Sequence, residues 1–348
     1  MWRKKQKALG AAALLLFFAL FFLVFVRNSE KQTEIYERAD VLMGTSFHGT
    51  VYGGKRDVLP DLAKELKSLE TEQISWREET SEIAKINFSG GKKPYENISP
   101  EFSGYLADVL DIAERSNGAL DPTIGNISRL WDFKGPNERL PEKAEIEAFL
   151  IKTGYEKLQI SENSIFLPEG ISLDLGAVGK GIGADRAADF IKAQEGIEGA
   201  VIALGGSVAL IGSKPDLTPW NLAIANPRGE KGEILGILKL SGGQFVSTSG
   251  DYEKYFVVDK KRYHHILNPK TGYPAESGLI SVTVICDSGL KSDGLSTACF
   301  VLGLEKGMEL LKEYGAEGVF VDEEGNVYLT EALKDCFTLK DNSYRMIK

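Results

Sequence analysis

Leu173-Asp174-Leu175-Gly176-Ala177-Val178-Gly179-Lys180-Gly181 is the stretch on which the fold class turns. Apolar residues lead up to Leu175, glycines follow, and helical spacing resumes with Ala184, Ala187, Ala188 and Ile191. The predicted order is a strand ending at Leu175, a glycine-rich loop, and a helix from about Gly181 to Gln194. Such a loop offers backbone N–H groups and the positive end of a helix, a setting that suits phosphate. Gly179, Gly181 and Ala184 also satisfy the loose G-x-G-x-x-A spacing of dinucleotide-binding folds. That reading calls for a doubly wound parallel sheet and an acidic residue about twenty positions further on. The strand here is short and carries Asp174, and no convincing acidic residue follows at that spacing.

The rest of the chain also argues against a doubly wound sheet. Apolar spacing predicts helices over 59–72 (Leu62, Leu66, Leu69), over 101–117 (Leu106, Leu110, Ala113), and from Pro141 to Leu150 with the proline in the first turn. Further helices are expected over 292–302, capped by Ser292, and over 305–314, ended by Gly315. Strands are expected on both sides of the Pro168-Glu169-Gly170 turn, over 200–211 with a break at Gly205-Gly206, and over 235–240, 244–247, 255–258 and 280–286. A closing hairpin is expected at 319–321 and 327–329. Helices and strands come in blocks with frequent hairpins, which predicts an α+β fold with mixed sheets.

Of the 348 residues, 43% are hydrophobic and 26% charged, the balance of a globular chain. The net charge of −9 excludes the usual nucleic-acid binder, and an anionic ligand would need a metal ion, a lysine or backbone N–H groups. Cys286, Cys299 and Cys336 are odd in number and lack CxxC spacing, which argues against a disulfide framework or a zinc site. At the start, Arg3, Lys4, Lys5 and Lys7 precede an unbroken apolar run from Ala8 to Val26, closed by Arg27. As a helix the run would be about 28 Å long, close to the thickness of a bilayer's hydrocarbon core. The basic tip predicts a single-pass anchor at the cell membrane with the remainder outside the cytoplasm. No small-x-small cleavage site or lipidation cysteine follows the run. The expected layout is a tip and anchor at 1–27, a polar linker at 28–38, and one catalytic domain at 39–340.

Two more segments carry candidate chemistry. In Ser292-Asp293-Gly294-Leu295-Ser296-Thr297, Asp293 and Thr297 are four apart on a helix and share a face. A carboxylate and a hydroxyl are hard oxygen ligands, of the kind magnesium takes while keeping water and ligand phosphates. Taken alone, the same spacing also fits ordinary helix chemistry. In His264-His265-Ile266-Leu267-Asn268-Pro269-Lys270-Thr271-Gly272-Tyr273-Pro274, adjacent histidines point to opposite sides of a strand, so one of them can face a pocket. A near-neutral histidine can act as general base toward a hydroxyl. The stretches Ala119–Gly125 with Trp131 and Phe133, and Ser247–Tyr252, read as turns.

Together these segments closely resemble the FAD:protein FMN transferase family, the ApbE-type enzymes. The resemblance runs in order through Met43-Gly44-Thr45, Ala119 to Gly125 with Leu130-Trp131, Leu173 to Gly181, and Leu204-Gly205-Gly206. It continues through Thr248-Ser249-Gly250-Asp251-Tyr252, His264 to Pro274, and Asp293 to Thr297, covering roughly residues 39–335. It implies a single α+β catalytic domain that binds FAD and Mg2+, cleaves the pyrophosphate, and joins FMN through a phosphoester to a threonine or serine of a target flavoprotein. The implied targets are extracytoplasmic subunits of membrane redox complexes. Carried over by position, the resemblance puts magnesium on Asp293, Thr297 and the backbone oxygen of Ala177. It puts FAD on Met43, Trp76, Ala119, Leu120, Asp121, Asp174, Lys180, His265 and Ile266, with His265 activating the acceptor hydroxyl. Gly179, Ser207 and Asn268 depart from residues common in the family, and the family's usual lipoprotein cysteine is absent. An FAD pyrophosphatase with water as acceptor, and a flavin-binding protein without turnover, are the alternative readings.

Overall fold

Alternation builds the central sheet. In the strands Ile197–Leu204 and Ser207–Gly212, the residues Ala200, Ile202, Leu204, Ala209 and Ile211 face one core, while Val201, Ala203, Val208 and Leu210 face another. A period of two with apolar residues on both faces makes a sheet covered on both sides. The computed structural model describes residues 33–161 and 163–347. Its main sheet has nine strands in the spatial order Ile35–Leu42, Thr45–Gly53, Ile197–Leu204, Ser207–Gly212, Gln244–Gly250, Leu279–Cys286, Glu317–Asp322, Asn326–Leu329 and Arg345–Met346. Every neighbouring pair is antiparallel except the last, which is parallel. The predicted α+β class with mixed pairing therefore holds.

Helices cover one face. Leu59–Leu69 sets Leu59, Leu62 and Leu66 against Ala184, Ala187, Ala188 and Ile191 of Gly179–Lys192 and against Phe47 and Val51 of the sheet. Further along, Pro100–Arg115, Gly289–Leu302 and Leu304–Tyr314 pack with Val282, Val284 and Phe320. The opposite face carries a small sheet of Phe337–Leu339, Ile234–Leu240 and Trp220–Ala225. Among the described residues no helix is long and apolar enough to cross a membrane. The apolar run at 8–26, read as an anchor, lies outside the described residues.

Several expectations need correcting. The linker read at 28–38 gives way to a strand at Ile35, which pairs with Tyr52, and the domain continues past 340 to the edge strand Arg345–Met346. Pro141 lies before its helix, because Glu142 is the N-cap of Lys143–Leu150 in a capping box with Glu145. Leu173–Leu175 is extended but not a strand. The Leu173 N–H donates to Asn87 Oδ1 (2.7 Å) and its carbonyl accepts from Asn87 Nδ2 (2.9 Å), so one side chain stands where a neighbouring strand would be. The helix after it starts at Gly179. The helix expected from Ser292 begins at Gly289 with Ser288 as its cap, and Ser292 is buried inside it. Trp220–Ala225 and Lys261–His264 are strands that the pattern did not predict.

Candidate active site

The glycine loop and the Asp293 helix, far apart in sequence, come together. Lys180 Nζ donates to both oxygens of Asp293, at 3.1 and 3.2 Å, and the Gly181 N–H donates to Asp293 Oδ2 at 2.9 Å. Asp293 is only 2% exposed, so this pairing is what allows a carboxylate there. Gly181 lies in the first turn of its helix, where a backbone N–H has no partner within the helix. Here it goes to Asp293, and among the described residues no hydrogen bond reaches the Ala177 oxygen.

Thr297 is oriented from the sheet. Ser249 Oγ lies 2.8 Å from Ser296 Oγ and 3.2 Å from Thr297 Oγ1, and Ser247 Oγ lies 2.8 Å from Ser292 Oγ. The strand expected over 244–247 runs on to Gly250, so Ser249, expected in a turn, lies with Ser247 on Gln244–Gly250, whose hydroxyls bind the helix. A carboxylate, a hydroxyl and an unbonded carbonyl fit a hard divalent cation that completes its shell with water and ligand oxygens. Among the described residues no three His, Cys, Asp or Glu side chains cluster, so no zinc-type cage is present there.

The two histidines part at the end of the strand Lys261–His264. His264 is buried, places Nε2 3.0 Å from the Ala275 carbonyl and meets Phe300 edge-on. His265 faces the lysines. Desolvation of its ring, then Lys254, Lys180 and His264, push its pKa down to about 3. Its ring is therefore neutral at neutral pH, and Nδ1 has no hydrogen-bond partner among the described residues.

Around it the sequence reading missed three cations. Lys254 is solvent-exposed as a residue, yet desolvation of its ammonium, followed by Lys180 and Arg77, holds it below the usual lysine range. Arg129 is lowered by burial, opposed by the charge of Asp174. Two guanidinium groups approach the Trp76 ring, Arg77 at 4.0 Å and Arg129 at 4.6 Å. Lys180, Lys254, Arg77 and Arg129 thus influence one another in one neighbourhood, with Asp174 near Arg129 and Lys254, in a chain of net charge −9. No local pattern marks Arg77, Arg129 or Lys254 in the sequence. Asp174 is half-buried and accepts the Gly176 N–H at 2.8 Å.

The other expected FAD contacts lie near the loops but differ in what they can offer. Met43 and Gly44 both have positive φ (53° and 66°), which makes the two-residue turn of the first hairpin, and the Met43 thioether lies over Gly183. Ala119 and Leu120 are buried in or beside the core. Asp121 uses Oδ1 on Thr123 (2.8 Å to N, 2.6 Å to Oγ1) and Oδ2 on the Tyr155 N–H (3.1 Å), so its side chain holds its own loop. Ile266 is 5% exposed, and its carbonyl accepts from the Ala275 N–H. Ala119, Leu120 and Ile266 have no polar side-chain atom to present to a ligand, and the Asp121 carboxylate is engaged within its own loop.

Comparison with known proteins identifies relatives of this chain. Residues 43–320 match the ApbE family. A curated relative from Klebsiella pneumoniae, named FAD:protein FMN transferase, is 32% identical over 318 residues, covering 90% of this chain and 97% of its own length. One of the same name from Vibrio cholerae is 33% identical over 305 residues, covering 83% and 88%. Among solved structures, the ApbE protein of Thermotoga maritima superposes with a TM-score of 0.80 at 34% identity, covering 87% of this chain and 99% of its own. The flavinyl transferase ApbE of Pseudomonas stutzeri gives 0.76 at 30% identity, covering 89% and 99%.

Proposed function

The chain belongs to the ApbE family and is an enzyme of the flavin-transferase kind, and we propose that it moves FMN from FAD to a threonine or serine hydroxyl of a target protein, with Mg2+, leaving a phosphoester and releasing AMP. The observation that carries this reading is the meeting of Lys180, Asp293 and a neutral His265 within one group of cations. Phosphoryl transfer depends mainly on positioning and charge neutralisation.

Asp293, Thr297 and the Ala177 carbonyl would hold the metal ion, which when bound would offset charge on the pyrophosphate oxygens. Lys180, Lys254, Arg77 and Arg129 would attract and orient the anion. His265 would take the proton from the acceptor hydroxyl as that oxygen attacks the FMN phosphorus. The P–O bond to AMP breaks and AMP carries away the electron pair. The two lysines that depress His265 are the groups a bound pyrophosphate would neutralise, so the substrate would raise the basicity of its own base. We further propose that the run at 8–26 anchors the enzyme in the cell membrane with its domain outside the cytoplasm, beside extracytoplasmic flavoprotein subunits of redox complexes. The basis for this placement is the sequence, through the basic tip and the uninterrupted apolar run.

The test is mass spectrometry of a candidate acceptor domain incubated with the full chain, FAD and Mg2+. The expected product is heavier by one FMN. Free FMN and AMP in the absence of acceptor would point to the pyrophosphatase reading, and unchanged FAD would point to a binding protein. Replacing His265→Ala should slow transfer by about 10²–10⁴-fold and leave FAD binding close to parental. An equal loss of binding would make His265 a binding residue.

A further inference from the structure

The helices Gly179–Lys192 and Gly289–Leu302 cap one another. They cross at their first turns, where the backbones touch: a Cβ on Gly181 would collide with the Gly289 carbonyl, and a Cβ on Gly289 with the Gly181 carbonyl. Four residues after each glycine stands an aspartate. Asp293 accepts the Gly181 N–H through Oδ2 at 2.9 Å. In return, Asp185 accepts the Gly289 N–H through Oδ1 at 2.6 Å and the Leu290 N–H through Oδ2 at 2.8 Å. The first N–H groups of a helix have no partner within it, and a carboxylate there also meets the positive end of the dipole. Each helix thus supplies the carboxylate that the other requires.

The two aspartates are not equivalent. Asp293 shares its oxygens with a lysine side chain, a cation that another cation can replace. Both oxygens of Asp185 are taken by backbone N–H groups, with Ser288 Oγ at 3.3 Å as a third donor. Ser288 Oγ accepts only the Lys291 N–H, so Asp185 completes the cap at Gly289 and Leu290 and at the same time links the two helices.

We propose that Asp185 is a positioning residue: by holding the start of Gly289–Leu302 against Gly179–Lys192, it fixes where Asp293 and Thr297 stand for a divalent cation. This rests on the reading of Asp293 as a metal ligand, and residues that support metal ligands typically change affinity by about 10–100-fold when replaced.

The experiment uses the full chain and its Asp185→Asn variant, which keeps the size of the side chain and removes the charge. Amide hydrogen exchange without metal comes first. Exchange should speed up at Gly289 and Leu290, and also at Gly181, whose acceptor is Asp293 and not Asp185. Faster exchange at Gly289 and Leu290 with Gly181 unchanged would reduce Asp185 to a local cap and overturn the proposal. Mn2+ binding by electron paramagnetic resonance comes second, with about 10–100-fold weaker affinity expected in the variant. Leu238→Ala, in the core on the opposite face, is the control at a comparable loss of thermal stability and should bind Mn2+ like the parent. Parental affinity in Asp185→Asn, or an equal loss in Leu238→Ala, would also overturn it. If the parent itself binds no Mn2+, the metal reading falls, while the exchange data still decide the role of Asp185.

Discussion

The helices Gly289–Leu302 and Leu304–Tyr314 are separated by one residue, Gly303, and are built on opposite plans. The second is amphipathic: Gly307, Leu310 and Leu311 are buried, while Glu305, Lys306, Glu309, Lys312 and Glu313 face water. The first is buried on most of its surface, and what it buries includes Ser292, Asp293 and Ser296. An apolar stripe holds a helix by hydrophobic burial and asks little of its neighbours beyond shape. A buried aspartate and buried hydroxyls need named partners, because an unpaired polar group in the interior costs about 1–3 kcal/mol. Those partners are Lys180, the Gly181 N–H, Ser247 and Ser249. The difference separates a helix that contributes stability from one that spends polar groups on a site.

Substitutions can test that separation, and the largest effect should come from the first helix. Asp293→Ala should abolish Mg2+-dependent turnover and Mn2+ binding, because it removes the only carboxylate proposed for the metal. Stability should fall by about 1–3 kcal/mol, since the Gly181 N–H loses its acceptor. Steady-state assays alongside chemical denaturation check both. Metal-dependent activity at the parental level would remove Asp293 from the metal site and erase the contrast between the helices.

The second helix should respond the other way. Leu311 is fully buried, so Leu311→Ala should cost about 2–5 kcal/mol while the folded fraction keeps the parental KM and kcat. Denaturant titration and assays below the unfolding transition measure the two separately. A changed KM for FAD at full folding would show that this helix also shapes the site.

The same contrast explains what the sequence made legible. Leu304–Tyr314 and the Ala184, Ala187, Ala188, Ile191 stripe were readable because period and burial coincide. Asp293 with Thr297 was readable as a shared face, and the closing hairpin as two apolar runs around a turn. Leu173–Leu175 misleads because Leu173 pairs with the side chain of residue 87 and Asp174 with the Pro122 carbonyl, which no local pattern announces. Ser292 was taken for a cap because the true start, Gly289, is a poor helix former on its own and is held there by Asp185. Arg77, Arg129 and Lys254 look like ordinary surface charges until the fold brings them into one neighbourhood. The spacing Gly-x-x-x-Asp recurs along the chain, and only the crossing of the helices makes Gly181–Asp185 and Gly289–Asp293 a meaningful pair.

The smallest effect concerns how each helix begins. Leu304–Tyr314 has no side-chain cap, whereas Ser288 Oγ accepts the Lys291 N–H at 3.3 Å. Losing a serine cap ordinarily costs about 0.5–2 kcal/mol. Here the bond is long, and Asp185 already satisfies Gly289 and Leu290, so Ser288→Ala alone should fall at the low end, about 0.5 kcal/mol. With Asp185→Asn in the background, the Ser288 cap becomes the main support left at that turn, and the same change should cost more. A double-mutant cycle read by denaturant unfolding measures the difference, and contacting groups of this kind commonly couple by about 0.5–3 kcal/mol. Strict additivity would mean that Ser288 and Asp185 act on the helix start independently, and the start of Gly289–Leu302 would then be no more tied to its neighbour than the uncapped start of Leu304–Tyr314.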